Sequence, residues 1–116
     1  MSELSFIKMH GLGNDFVVVD GRGGDVALDS TRVRAIAERR EGVGCDQLLE
    51  ICAPNSEEAD AFMRIWNADG GQVEACGNGT RCVAAFLMME SGESETVIET
   101  VAGLLKAEAA GPGLVA

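Results

Sequence analysis

Basic residues are scarce in this chain: nine lysines and arginines stand against nineteen aspartates and glutamates, for a formal net charge of −10. Nucleic acid and anionic membranes both demand basic patches, so neither is expected as a partner. Histidine occurs once, at His10, and none of the four cysteines (Cys45, Cys52, Cys76, Cys82) forms a Cys-x-x-Cys pair. That sparseness argues against a structural zinc site, and no metal is expected. The longest apolar run, Val83 to Met89, is too short to span a bilayer. The N-terminus lacks the basic start and apolar stretch of a secretory signal, so the expected compartment is the cytoplasm. In that compartment a chain able to build its own core needs no disulfides, and free thiols are expected.

What is present fits one compact domain: 116 residues, 47% hydrophobic and 24% charged. Strands are predicted over Leu4–Met9, Phe16–Val19, Asp46–Cys52 and Ala61–Trp66, and then over Gln72–Ala75 after a strong turn signal at 67–71. Val97–Val101 and Leu104–Glu108 form a predicted hairpin around Ala102-Gly103. Asp29 or Ser30 can cap a helix over Thr31–Arg40, with Val33, Ile36 and Ala37 as its apolar face and Gly42-Val43-Gly44 as its stop. A second helix follows Cys76 and ends near Ser91-Gly92, with Cys82, Ala85, Phe86 and Met89 as one apolar stripe and Val83, Ala84, Leu87 and Met88 widening it. A helix so apolar all round is expected to be buried, wrapped by the sheet, with Cys82 a core residue. Mixed short strands with two helices give an α+β domain.

The most informative stretch is Glu74-Ala75-Cys76-Gly77-Asn78-Gly79-Thr80-Arg81-Cys82. Small turn-forming residues follow the thiol, and then the apolar run begins, so Cys76 lies just before the predicted helix start. Unpaired backbone N–H groups and the helix dipole both favour a thiolate there, the form that acts as base or nucleophile. The same N–H groups can hold a carboxylate. Other residues have plainer readings. Asn14 and Asn67 sit in turns that favour asparagine for backbone reasons, and Gln47 is an ordinary strand residue. His10 and Cys45 read as packing residues, Asp46 and Asp69 as turn acceptors, and Arg81 as the partner of an acidic neighbour.

Four segments together resemble one family, the diaminopimelate epimerases, which are cofactor-independent amino-acid racemases. They are Lys8-Met9-His10-Gly11-Leu12-Gly13-Asn14-Asp15-Phe16, Gly42-Val43-Gly44-Cys45-Asp46-Gln47, Ile65-Trp66-Asn67-Ala68-Asp69-Gly70 and Cys76 to Cys82. Proline racemases look similar at the thiol but usually carry histidine where this chain has Asn78. The resemblance implies a sheet curled around a central helix, and it makes residues 1–116 the N-terminal one of two pseudo-symmetric domains, the C-terminal domain lying outside this chain. It implies epimerisation of LL- to meso-diaminopimelate, a step in lysine and peptidoglycan-precursor synthesis, by two cysteines on opposite faces of the α-carbon. Cys76 would be one base. Asn14, Gln47 and Asn67 would line the site of the small amino-acid substrate, and Gly77 and Asn78 would offer backbone N–H groups to its carboxylate. The second cysteine belongs to the family's other domain. Pyridoxal phosphate needs a Schiff-base lysine, and of Lys8 and Lys106 neither sits in a convincing cofactor site, so no cofactor is expected. Two alternatives stay open: a racemase of another amino acid such as histidine, or an inactive half that binds substrate or a partner. A docking face for the missing domain would be apolar, and self-association into a homodimer is one consequence of such a face.

Overall fold

Two crossover connections organise the chain, and they place the two helices on opposite faces of one mixed sheet. The computed structural model describes residues 6–10, 15–22, 28–73, 77–111 and 114–115. Among these, the strands are β1 (Phe6–His10), β2 (Asp15–Asp20), β3 (Gln47–Cys52), β4 (Ala61–Asn67), β5 (Gln72–Val73), β6 (Glu95–Thr100), β7 (Gly103–Gly111) and β8 (Leu114–Val115). The helices are α1 (Ser30–Ala37) and α2 (Gly77–Ser91). Strand order is β1-β2-β3-β4-β6-β7-β8, with β5 paired to β4 off this path. β2 runs parallel to β3 across the α1 crossover, and β4 runs parallel to β6 across the α2 crossover. The remaining pairs are antiparallel.

Alternation along the strands feeds two cores. Phe16, Val18, Leu49, Ile51, Met63 and Ile65 point to the α2 side, where they meet Cys82, Val83, Ala84, Leu87 and Met88. Val17, Val19, Leu48 and Trp66 point to the other side and meet Val33, Ala37 and Cys45. Strands covered on both faces read as unbroken apolar runs, which is why Phe16–Val19 has no polar residue to alternate with. Helix α2 touches β3, β4, β6, β7 and β8, so the sheet curves around it as expected of the fold class.

The sheet does not enclose α2. Met89 is 80% exposed, and the buried face runs through Cys82, Val83, Ala84, Leu87 and Met88, with Ala85 and Phe86 only partly buried. Cys82 is a core residue, as predicted. Helix α1 also differs from expectation: it starts one residue early at Ser30 and stops at Ala37, not Arg40. Asp29 is its N-cap, accepting the Arg32 N–H at 2.8 Å. Glu38 ends it by turning extended, and its carboxylate takes the N–H groups of Arg40 (2.9 Å) and Glu41 (2.6 Å), which competes with continued helix. The hairpin turn carries Val101 and Ala102 at its tip, because Thr100 pairs with Gly103. β1 covers Phe6–His10, so His10 is the exposed last residue of a strand, in register with Asp15. Asp46 lies just before β3, and the last described residues form β8 against β7.

Candidate functional site

Gln47 opens β3 and Asn67 closes β4, and antiparallel register sets them side by side. Gln47 Nε2 donates to Asn67 Oδ1 at 3.1 Å in a half-buried position. Both lie in phase with the residues that face α2: Leu49 and Ile51 on β3, Met63 and Ile65 on β4. Two residues that spacing alone reads as a strand and a turn residue are thus a bonded amide pair at one end of the sheet. Amides carry both donors and acceptors, which suits a ligand bearing an ammonium and a carboxylate.

Asn67 is held by the turn that follows it. Its N–H donates to the Gly71 carbonyl at 2.7 Å and its own carbonyl accepts from Gly70 N–H at 3.0 Å. Asp69 is the turn acceptor expected, taking the Gly71 N–H at 2.8 Å. Ser30 Oγ, at the start of α1, donates to the Gly70 carbonyl at 2.9 Å and ties the turn to the opposite layer. From this turn the chain pairs briefly as β5 and enters α2 at Gly77. Gly77 and Asn78 are the first two residues of that helix, where N–H groups lack intrahelical partners. No acidic side chain occupies its first turn, so none of its own carboxylates offsets the positive end of the helix there. Cys76 and Asn14, the remaining predicted site residues, lie outside the described residues; Cys76 directly precedes α2 and Asn14 directly precedes β2.

Sequence reasoning missed a cluster beside this pair. Asp15 Oδ2 is 2.9 Å from Lys8 Nζ and accepts from Arg39 Nη1 at 3.0 Å, and Asp15 Oδ1 accepts from Arg39 Nη2 at 3.0 Å. Arg39 Nη2 also reaches Asp46 Oδ1 at 3.0 Å. The two aspartates bond reciprocally: Asp15 N–H to Asp46 Oδ2 at 3.1 Å, and Asp46 N–H to Asp15 Oδ1 at 2.9 Å. Arg39, followed by Lys8, holds the Asp15 carboxyl well below the usual carboxylate range. One signal was available, since Asp15 and Asp46 each adjoin a predicted site residue. Arg81, expected beside an acidic residue, is exposed and has no acidic partner among the described residues.

The other thiols are unsuited to proton abstraction. Burial pushes the Cys45 thiol up. Burial and the charge of Glu50 push Cys52 up to about 11. At pH 7 a thiol of that pKa is roughly one part in ten thousand thiolate. Iodoacetamide at pH 7 is therefore expected to label Cys76 ahead of Cys45, Cys52 and Cys82, with Cys52 labelling rising only as pH climbs towards 11. Equal neutral-pH labelling of Cys45 and Cys76, read by peptide mass spectrometry, would count against the helix-terminus account.

A cavity of about 460 Å³ lies at the far end of α2, lined by Glu58, Asp60, Glu90, Glu93 and Glu95, with Arg22 as the one cation among the described residues that line it. That charge repels a carboxylate ligand, and the 15 residues of α2 put it about 20 Å from Gly77. Among the described residues no three histidine, cysteine or acidic side chains are grouped to hold a metal, and no helix is long and apolar enough to cross a membrane.

Comparison with known proteins agrees with the resemblance. A family model described as diaminopimelate epimerase matches residues 6–115. A diaminopimelate epimerase of Phenylobacterium zucineum is 56% identical over 110 residues, which is 95% of this chain and 39% of that protein. One from Azoarcus sp. is 50% identical, covering 97% of this chain and 41% of its own length. The chain thus spans about two fifths of the length of these curated relatives. Among solved structures, a methylitaconate-delta-isomerase superposes with a TM-score of 0.72 at 19% identity, covering 93% of this chain and 35% of that one. A hydroxyproline epimerase of Agrobacterium vitis gives 0.66 at 23%, covering 91% and 37%. At those identities the two structures share the fold alone. The sequence matches carry more: this chain belongs to the diaminopimelate epimerase family.

Proposed function

We propose that this chain supplies one half of a diaminopimelate epimerase site, with Cys76 as one of two proton-transferring bases. The observation that carries this is the Gln47–Asn67 amide pair, bonded at 3.1 Å on the α2 side of the sheet in a chain of this family. The α-hydrogen of an amino acid is a very weak acid, so its removal needs a thiolate on one face and stabilisation of the charge that spreads onto the carboxylate. Backbone N–H groups at Gly77 and Asn78 would supply that stabilisation, while Asn14, Gln47 and Asn67 would orient the substrate. Cys45 and Cys52 have raised pKa values and Cys82 is buried, which supports a second base from a pseudo-symmetric second domain. The proposed setting is the cytoplasm, in the synthesis of lysine and a peptidoglycan precursor, without a cofactor.

The test is incubation of LL-diaminopimelate in D₂O with this sequence fused to the remaining part of the Phenylobacterium zucineum relative. Deuterium at the α-carbon with inversion, read by NMR and chiral chromatography, is the expected result. A folded fusion that leaves the α-hydrogen in place would overturn the reading. Exchange of another amino acid, such as histidine, in preference to diaminopimelate would keep the mechanism and replace the substrate.

A further inference from the structure

We propose that the cluster of Lys8, Asp15, Arg39 and Asp46 is a positioning device for the substrate site, fixing the main chain at Asp15 and Asp46 and so the start of β3 at Gln47. This rests on the reading of the site given above. Asn14 directly precedes Asp15, and Gln47 directly follows Asp46. The parallel ladder between β2 and β3 starts at Phe16 and Gln47, so it does not itself join Asp15, which β1 holds through His10, to Asp46, which precedes β3. The reciprocal bonds between Asp15 and Asp46 extend that hold by one residue on each strand. The same Asp46 N–H also reaches the Asp15 carbonyl, at 3.1 Å.

An ordinary surface ion pair contributes little, and its partners are free to part. This one differs in geometry. The Asp15 side chain is only 15% exposed, and its two oxygens take Lys8, both terminal nitrogens of Arg39 and a backbone N–H. A planar guanidinium gripping a carboxylate with two parallel bonds fixes angle as well as distance. Lys8 also donates to the Gly44 carbonyl, which fastens the segment leading from α1 into Gln47. Asp15 and Asp46 alternate with Phe16 and Gln47, so the cluster stands on the α1 side, behind the amide pair. It acts on the site through the backbone, without touching the ligand. Because its pKa is lowered, the Asp15 carboxyl stabilises the fold above its unfolded value and loses that contribution only as pH falls below it, so the device stays charged through the neutral range.

The experiment uses the ¹⁵N-labelled chain and its side-chain amide resonances, with LL-diaminopimelate as the titrant. Arg39→Gln is expected to shift the Gln47 and Asn67 side-chain signals, speed their hydrogen exchange about tenfold, and weaken ligand binding about tenfold. Arg39→Lys keeps the charge and should recover binding to within about threefold. Arg22→Gln, which cuts a comparable pair with Asp20 and Glu90 at the far end of α2, should leave the Gln47 signals and the affinity unchanged. Should Arg39→Gln fail to fold, Asp46→Asn carries the same expectations. Loss of thermal stability with the Gln47 and Asn67 signals unmoved would reduce the cluster to a structural role and overturn the proposal. Gln47 signals that shift on Arg39→Gln but never respond to ligand in the wild-type chain would instead sink the substrate reading.

Discussion

Cys76→Ala in the two-domain fusion is expected to lower α-proton exchange of LL-diaminopimelate by about a thousandfold or more while leaving the fold intact. The size follows from the chemistry. In the proposed mechanism the Cys76 thiolate is the proton acceptor, and no described thiol can replace it: Cys45 and Cys52 have raised pKa values, and Cys82 is 7% exposed in the core. Cys76→Ser should lose nearly as much, because a serine hydroxyl does not ionise near neutral pH. Cys82→Ala is the contrasting variant. It removes packing against the α2-side core, so it should lower the melting temperature while the rate per folded molecule stays close to wild type. Exchange in D₂O separates the two, and a Cys76→Ala protein of normal rate would remove the thiol from the mechanism.

Gly42→Ala is expected to cost about 3 kcal/mol or more, seen as a fall in melting temperature of roughly 10 °C or more. The cause is a close approach of backbone to backbone. A Cβ at Gly42 would run into the Ala35 carbonyl oxygen, and it would lie 2.7 Å from the Ile36 oxygen and 2.8 Å from that of Glu38. The chain passes this close because residues 42–45 fold back to cap α1. Gly42 N–H reaches the Glu38 carbonyl at 2.9 Å, Val43 and Gly44 reach Ile36 at 2.9 and 3.0 Å, and Cys45 reaches Ala37 at 3.3 Å. The damage should spread to Gln47, five residues on. Gly92→Ala is the milder control: its φ of +77° strains an L-residue, yet a Cβ there meets nothing within 4 Å, so about 1 kcal/mol is expected. Equal losses at Gly42 and Gly92 in thermal melts would refute the steric argument.

Local chemistry made much of this fold legible. The β-branched run at Phe16–Val19, the Asp29 cap and the turn at 67–71 each appear as the residue types demand. What the sequence hid was long-range. Periodicity shows that α2 is apolar, but not which side the sheet covers, so the predicted stripe includes Met89, which is exposed. Arg39 looked like the last turn of a helix; it left the helix because the Glu38 carboxylate captures the next two N–H groups, and only then could it reach Asp15, 24 residues away. The site was legible in the same uneven way. Cys76 announces itself through its local context, whereas Gln47 and Asn67 gain a role only when β3 and β4 pair, a register that single-strand patterns do not specify.

The most direct test of the central claim is a titration of the ¹⁵N-labelled chain with LL-diaminopimelate, following the side-chain amides of Gln47 and Asn67. The account predicts that these two signals move together and saturate, while signals around the carboxylate-lined cavity of Glu90 and Glu95 at the far end of α2 stay still. Movement confined to that cavity, or none at Gln47 and Asn67 in a folded chain, would contradict it.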